Sequence, residues 1–166
     1  MLPVHIRFFA RMIIHPGGKF LASAADDGTV RIWDVGTGKE IRQLLGHCGQ
    51  VLTVAYSPDG RLLASGGADR SVRLWDAATG KAHGEPLLGH GGAVLAVAFN
   101  ADGSLLASGS VDSTVRVWDT AEGGLTASLN GHRGAVTSVS FSSDGRTIAS
   151  GGSARAFDGL LLLKPH

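Results

Sequence analysis

Short apolar segments alternate with turn residues along the chain, and outside them no stretch of ten or more residues holds a helical period. In one representative unit the segment 51–56, Val-Leu-Thr-Val-Ala-Tyr, is rich in residues that favour strands. The next four residues, Ser-Pro-Asp-Gly at 57–60, suit a type I turn, because proline presets φ at the second position and glycine tolerates the exit. Further strands are predicted at 61–67, 71–76 and 82–88. The pattern therefore predicts four short antiparallel strands in this unit.

The units form an internal repeat of about 42 residues. Tryptophans 33, 75 and 118 are 42 and 43 residues apart, and histidines 5, 47, 90 and 132 are 42, 43 and 42 residues apart. Residues 47–76 and 90–119 align without a gap and are identical at 18 of 30 positions. We therefore expect a single modular domain over residues 1–166, with units at approximately 5–46, 47–89, 90–131 and an incomplete 132–166.

Composition excludes several classes of protein. The 166 residues are 43% hydrophobic and have a net charge of +1, so the chain is not a disordered polar segment and has no electrostatic footprint for nucleic acid or an anionic membrane. No apolar run approaches the ~18 residues of a membrane span. Gly is abundant, at 25 residues, as many tight turns require. The single Cys excludes an internal disulfide and favours a cytoplasmic location.

A set of four residue types recurs with identical spacing. His, Ser, Asp and Trp follow one another at intervals of 18, 4 and 6 residues in three units: His5, Ser23, Asp27 and Trp33; His47, Ser65, Asp69 and Trp75; His90, Ser108, Asp112 and Trp118. A Ser, His and Asp set can form a hydrolase triad. The order of the three residues and the lack of a Gly-x-Ser-x-Gly elbow argue against catalysis. A hydrolase needs one activated nucleophile beside an oxyanion hole, whereas this sequence has three equal copies of the Ser, His and Asp set.

Together these residues resemble the WD-repeat β-propeller family. The second unit has Gly46-His47, the Ser-Pro-Asp-Gly turn, Leu-Ala-Ser-Gly at 63–66, Asp69, and Val-Arg-Leu-Trp-Asp at 72–76, in that order. The resemblance implies an all-β fold of about four radially arranged blades, with each sequence repeat straddling two blades. It also implies a structural tetrad in each blade, in which Asp accepts from one His nitrogen, Ser donates to the other, and Trp donates to Ser.

Two departures from the family pattern affect the expected assembly. About four blades form an open arc or incomplete propeller, with a sheet face uncovered at each end. In the fourth unit Ala154 takes the place of the Asp and Leu160 that of the Trp, and 160–163 is a run of Leu. We therefore expect either a homo-oligomer or completion of the arc by further repeats.

The resemblance implies a non-catalytic scaffold for a protein or peptide partner, without a cofactor or metal. Specificity is expected at variable positions before each Asp and at the start of each first strand: Asp26, Gln50, Leu52, Ala68, Ala93, Leu95, Val111, Ala135 and Thr137. These positions are mostly small or apolar, which does not favour recognition of a phosphopeptide. Two alternatives stay open. One is a fragment of a larger regulator, such as the repeat tail of a bacterial kinase or nucleotide hydrolase. The other is a serine hydrolase.

Overall fold

The computed structural model describes residues 9–153, which form thirteen β-strands and no helix. Within these residues there is accordingly no helix that could cross a membrane. His5, Ala154, Leu160 and the 160–163 run lie outside the described residues. The strands are β1 (Phe9–Ile14), β2 (Phe20–Ala25), β3 (Val30–Asp34), β4 (Glu40–Leu44), β5 (Val51–Tyr56), β6 (Leu62–Gly67), β7 (Val72–Asp76), β8 (Val94–Phe99), β9 (Leu105–Ser110), β10 (Thr114–Asp119), β11 (Leu125–Asn130), β12 (Val136–Phe141) and β13 (Ile148–Gly152).

The strands form four antiparallel sheets, which we call blades 1 to 4. Blade 1 has the order β1-β2-β3-β4, blade 2 β5-β6-β7, blade 3 β8-β9-β10-β11, and blade 4 β12-β13. The first strands β1, β5, β8 and β12 pack side by side and form the inner edge of the assembly. The all-β architecture of an incomplete propeller, expected from the repeat, is confirmed.

Blade 2 differs from the prediction at its outer edge. Instead of a strand over 82–88, the structure has two isolated bridges, Trp75 with Ala82 and Val72 with Leu87. Between these bridges Gly84 adopts a φ of +77°. Pro86, two residues later, has no N–H to donate to a strand ladder. The segment therefore touches the blade at its two ends without forming a continuous strand.

The core lies between the blades. In blades 2 and 3 the side that bears the Trp packs on the preceding blade, and the equivalent side of every blade is called its upstream face; the opposite side is its downstream face. Between blades 2 and 3, Ala64, Val72 and Leu74 of one downstream face form a cluster with Val94 and Trp118 of the next upstream face. Equivalent positions form the cluster between blades 1 and 2 and, without the Trp position, the cluster between blades 3 and 4. Each interface therefore repeats the same packing.

Small residues on the downstream faces allow the blades to approach closely. A Cβ placed on Gly109 would lie 2.7 Å from Val136 Cγ1 of blade 4, and one on Gly66 would lie 2.5 Å from Val94 Cγ1 of blade 3. These distances are shorter than real side chains tolerate. The Ala-Ser-Gly sequence of the second strands is thus explained by what the next blade inserts there.

Candidate functional site

In blade 2 the repeated His, Ser, Asp and Trp form one hydrogen-bonded chain. His47 Nδ1 lies 2.9 Å from Asp69 Oδ2, and its Nε2 lies 2.8 Å from Ser65 Oγ. The Trp75 indole N–H donates to the same Ser65 oxygen over 2.8 Å. Because a carboxylate only accepts, Nδ1–H donates to Asp69, which leaves Nε2 of a neutral ring to accept from the serine hydroxyl. The chain ties the loop before β5 to β6 and β7.

Blade 3 repeats this arrangement with nearly the same distances. His90 Nδ1 lies 2.9 Å from Asp112 Oδ2, and Nε2 lies 2.7 Å from Ser108 Oγ. The Trp118 indole N–H donates to Ser108 Oγ over 2.8 Å. The backbone N–H of Gly91 also donates to Asp112 over 2.7 Å, so the carboxylate fixes the loop as well as the ring.

The outer units contain parts of the same pattern within the described residues. In blade 1 the Trp33 indole N–H donates to Ser23 Oγ over 2.8 Å, and Arg31 forms an ion pair of 2.7 Å with Asp27. In blade 4 His132 Nε2 lies 2.7 Å from Ser150 Oγ.

Burial controls the charge state of these groups. Burial lowers the pKa of His47 and His90, although the neighbouring aspartates oppose the shift. Burial alone would raise the pKa of Asp112, but hydrogen bonds from Thr114, His90 and the Gly91 N–H lower it to about 2. The geometry therefore favours a neutral imidazole held by an ionised aspartate.

A fifth member of each network was missed in the sequence. The residue two places after each Asp is a hydroxyl residue that donates to its Oδ1: Thr29 over 2.6 Å, Ser71 over 2.8 Å and Thr114 over 2.7 Å. The signal was available, since the three units have Thr, Ser and Thr at that position. These hydroxyls stabilise the ionised form of the carboxylates.

The buried serines are poorly placed for attack on a substrate. Ser65 and Ser108 have no exposed surface. The oxygen of each already accepts from an indole N–H, while its proton is directed to the imidazole. A substrate could reach either hydroxyl only if the blades separated. The arrangement is chemically suited to fixing strands and loops in place.

The variable positions predicted for binding converge on the loop-bearing edge above these networks. In each of three blades the residue before the Asp position donates its backbone N–H to the residue at the start of the first strand. We call these the rim pairs: Ala68 to Gln50 (2.8 Å), Val111 to Ala93 (2.9 Å) and Ser153 to Ala135 (3.0 Å). The two groups of candidates are therefore neighbours in blades 2, 3 and 4, while Asp26 lies at the equivalent position of blade 1.

Three further candidates lie at β-bulges beside the rim pairs. The strand registers shift between Val51 and Thr53, between Val94 and Ala96, and between Val136 and Ser138. The extra residues at these shifts are Leu52, Leu95 and Thr137. A bulge redirects its extra side chain away from the regular ladder. The period-two pattern of a strand does not contain this information.

Exposure separates the candidates into two groups. The exposed candidates are Asp26, Gln50, Ala68, Val111 and Thr137, and the half-buried ones are Leu52, Ala93, Leu95 and Ala135. Val111 is 49% exposed and presents the largest accessible apolar side chain of the rim pairs.

Two other concave regions lie away from this edge. A groove of about 410 Å³ between the turns of blades 2 and 3, at the opposite edge, is bordered by Asp59, Asp76, Asp102 and His83. A recess of about 180 Å³ lies along the inner strands. The described part of the chain contains no group of three or more His, Cys, Asp or Glu residues able to hold a metal ion.

Comparison with known proteins identifies the family of the repeats and includes a short partial match to a longer protein. The family model described as "WD domain, G-beta repeat" matches residues 2–34, 38–76, 84–119 and 123–163. The match at 38–76 includes β4 of blade 1 and all of blade 2, so it straddles two blades. Nuclear distribution protein nudF from Aspergillus niger is 35% identical over 49 residues, which are 30% of this chain and 11% of that protein. The alignment thus spans a small part of a longer protein.

Proposed function

Because the chain belongs to the family of the WD domain, G-beta repeat, we propose that it is an interaction scaffold that binds a protein or peptide at its rim pairs. WD repeats generally mediate protein–protein interactions, and proteins built from them are generally non-enzymatic scaffolds. The proposal adds a location on this chain and a chemistry for the partner.

The observation that carries the proposal is the convergence of variable residues at one edge. The rim pairs of blades 2, 3 and 4 lie at equivalent places, and each is fixed by a backbone hydrogen bond of 2.8 to 3.0 Å. Their side chains differ from blade to blade: Gln50 and Ala68, Ala93 and Val111, and Ala135 and Ser153. A fixed framework with variable side chains is the arrangement that gives a binding surface its specificity.

The buried networks support this surface from below. Asp69 follows Ala68 directly, and Asp112 follows Val111. Each aspartate is bound to a histidine, a serine or threonine and the backbone of the opposite loop. Such networks limit the movement of the rim, so less conformational entropy is lost when a partner binds.

The side chains of the rim indicate a partner with small apolar contacts. Val111, Ala68 and Leu95 provide apolar surface, while Gln50 and Thr137 offer neutral hydrogen-bonding groups. The rim pairs contain no Arg, Lys or aromatic residue. We therefore propose an uncharged or mixed peptide segment rather than a phosphorylated one as the ligand.

Selection from a random peptide library displayed on phage tests the proposal. Peptides selected on the purified chain should lose affinity by about tenfold or more for an Ala68→Glu, Val111→Glu double variant. The matched control is an Ala78→Glu, Ala121→Glu double variant, which adds the same two negative charges at exposed turns at the opposite ends of blades 2 and 3. Peptides that bind the rim variant as tightly as the native chain, or that respond only to the control variant, would contradict the proposed location.

A further inference from the structure

The three interfaces between blades show what would cover a sheet face that no described blade covers. In blades 2 and 3 the upstream face presents a Leu on the second strand and the Trp on the third, and both side chains are buried by the preceding blade. These residues are Leu63 and Trp75 in blade 2, and Leu106 and Trp118 in blade 3. The partner surface is always the downstream face of another blade.

Blade 1 has the same upstream face, and no blade among residues 9–153 covers it. Met12 and Ile14 of β1 are 59% and 58% exposed, and Leu21 and Trp33 are only half-buried. Strand pairing places Met12 beside Ser23, and Leu21 between Ile14 and Trp33, so the four apolar side chains share one side of the sheet. A cluster of this composition elsewhere in the molecule is part of the core.

Blade 4 has the complementary surface at the other end of the arc. Its downstream face presents Ser138, Ser140, Ala149 and Gly151, paired as Ser138 with Gly151 and Ser140 with Ala149. The two serines are exposed. A Cβ placed on Gly151 would have only the Ser138 Cβ within 4 Å, at 3.9 Å. Gly109 holds the equivalent position in blade 3, where Val136 of blade 4 fills the space beside it; the space beside Gly151 is unfilled by the described residues.

The serines are compatible with a buried interface of this kind. Thr53 occupies the position of Ser138 in blade 2 and is fully buried between blades 2 and 3. Its hydroxyl has no hydrogen-bond partner there. A hydroxyl at this position is therefore already tolerated inside one of the chain's own interfaces.

We propose that the upstream face of blade 1 binds the downstream face of blade 4 from a second copy of this chain. Two copies arranged about a twofold axis form two such contacts, so each copy uses both of its open ends and the assembly is closed. The contact continues the series of interfaces already present between blades 1 and 4. This surface is separate from the rim pairs, and the proposal does not depend on the proposed function.

Two observations favour a second copy over other arrangements of the free faces. Contact between two blade 1 faces would oppose large residues, Met12 and Trp33, with large residues, and would provide no space like that above Gly151. The chain also has a net charge of only +1, so long-range repulsion between copies is small. Each copy supplies one face of each kind, in equal numbers.

Molar mass measured by light scattering after size exclusion, from micromolar to hundreds of micromolar chain, tests the proposal. We expect a mass of twice 17.1 kDa. Met12→Asp on blade 1 and Ser138→Arg on blade 4 should each weaken the pair by about a hundredfold or more. Val35→Asp is the matched control, because Val35 is 50% exposed and lies outside both faces. Both altered residues are exposed, and thermal unfolding verifies that the variants fold.

Each outcome of this experiment decides the proposal. A single chain at every concentration overturns it, as does a pair that neither variant weakens. Loss of the pair with Met12→Asp but not with Ser138→Arg would indicate contact between two blade 1 faces and also overturns it. Masses that grow continuously with concentration would indicate an open polymer and would overturn the closed pair. An equimolar mixture of the two variants should recover association through its one intact contact.

Discussion

Replacing Trp75 by alanine removes the largest side chain of the interface between blades 1 and 2. Trp75 is 2% exposed and belongs to the cluster with Ala22, Val30 and Leu44. A buried aromatic side chain covers roughly 150–250 Å², which corresponds to an upper estimate of about 4–6 kcal/mol. Measured losses for such truncations are about 3–5 kcal/mol, and we expect a decrease of that size in the free energy of unfolding.

Trp33→Ala is the matched comparison. Trp33 occupies the same repeat position and makes the same 2.8 Å hydrogen bond, to Ser23, but it is only partly buried because no described blade packs on the upstream face of blade 1. The hydrogen-bond contributions therefore cancel approximately, and the difference reports the burial between blades. Because part of the Trp33 side chain is exposed, it buries less area than Trp75, and we expect a smaller loss of about 2–4 kcal/mol.

The assay is urea unfolding followed by circular dichroism at sub-micromolar chain, where association through the free faces is minimised. A two-state fit gives both free energies from the transition midpoints and slopes. Equal losses for the two variants, within about 0.5 kcal/mol, would refute the reasoning that burial by a neighbouring blade dominates. A loss below about 1 kcal/mol for Trp75→Ala would refute the packing described for this interface.

Three further predictions concern charge, space and the buried serines. Because burial lowers the pKa of His47 and His90, the unfolded chain takes up these protons first, so stability should be full above about pH 6.5 and fall below it. Urea midpoints at neutral pH and near pH 5.5 measure this, and a midpoint that rises on acidification would contradict it. Gly109→Ala should cost about 1–3 kcal/mol because its Cβ would overlap blade 4, whereas Gly124→Ala, with no atom within 4 Å, should be nearly neutral in thermal unfolding. Ser108→Ala should lower stability by about 1–3 kcal/mol by disrupting its buried network. The native chain should not be labelled by a fluorophosphonate probe, and labelling that disappears with Ser108→Ala would support the hydrolase alternative.

The repeat spacing carried much of the information needed for the fold, because equal intervals select equal places in each blade. The turn at 57–60 illustrates a local signal that sufficed: Gly60 adopts a φ of +72°, and its N–H donates to the Ser57 carbonyl. The prediction of a strand over 82–88 was wrong because Gly84, with its positive φ, and Pro86, without an N–H, interrupt the hydrogen-bond ladder.

Other features could not be read from local sequence. Trp33 and Trp75 lie in nearly identical segments, Val-Arg-Ile-Trp-Asp and Val-Arg-Leu-Trp-Asp, yet only Trp75 is fully buried. The difference arises from whether a neighbouring blade is present, which is a property of the assembly. The bulges at Leu52 and Leu95 could not be predicted either. A bulge depends on how a strand pairs with its neighbour, and the segments that contain these residues have the apolar composition of ordinary strands.

The repetition of one interface has a consequence for how such a chain can change over evolutionary time. Removing residues 47–89 as a block would bring the downstream face of blade 1, with Ala24 and Val30, against the upstream face of blade 3, with Val94 and Trp118. These are the same residue types that now meet between adjacent blades. Duplication or loss of a whole unit in the gene therefore requires no new core. The number of blades can change by unequal recombination between the similar units, while the same residue types meet at every junction.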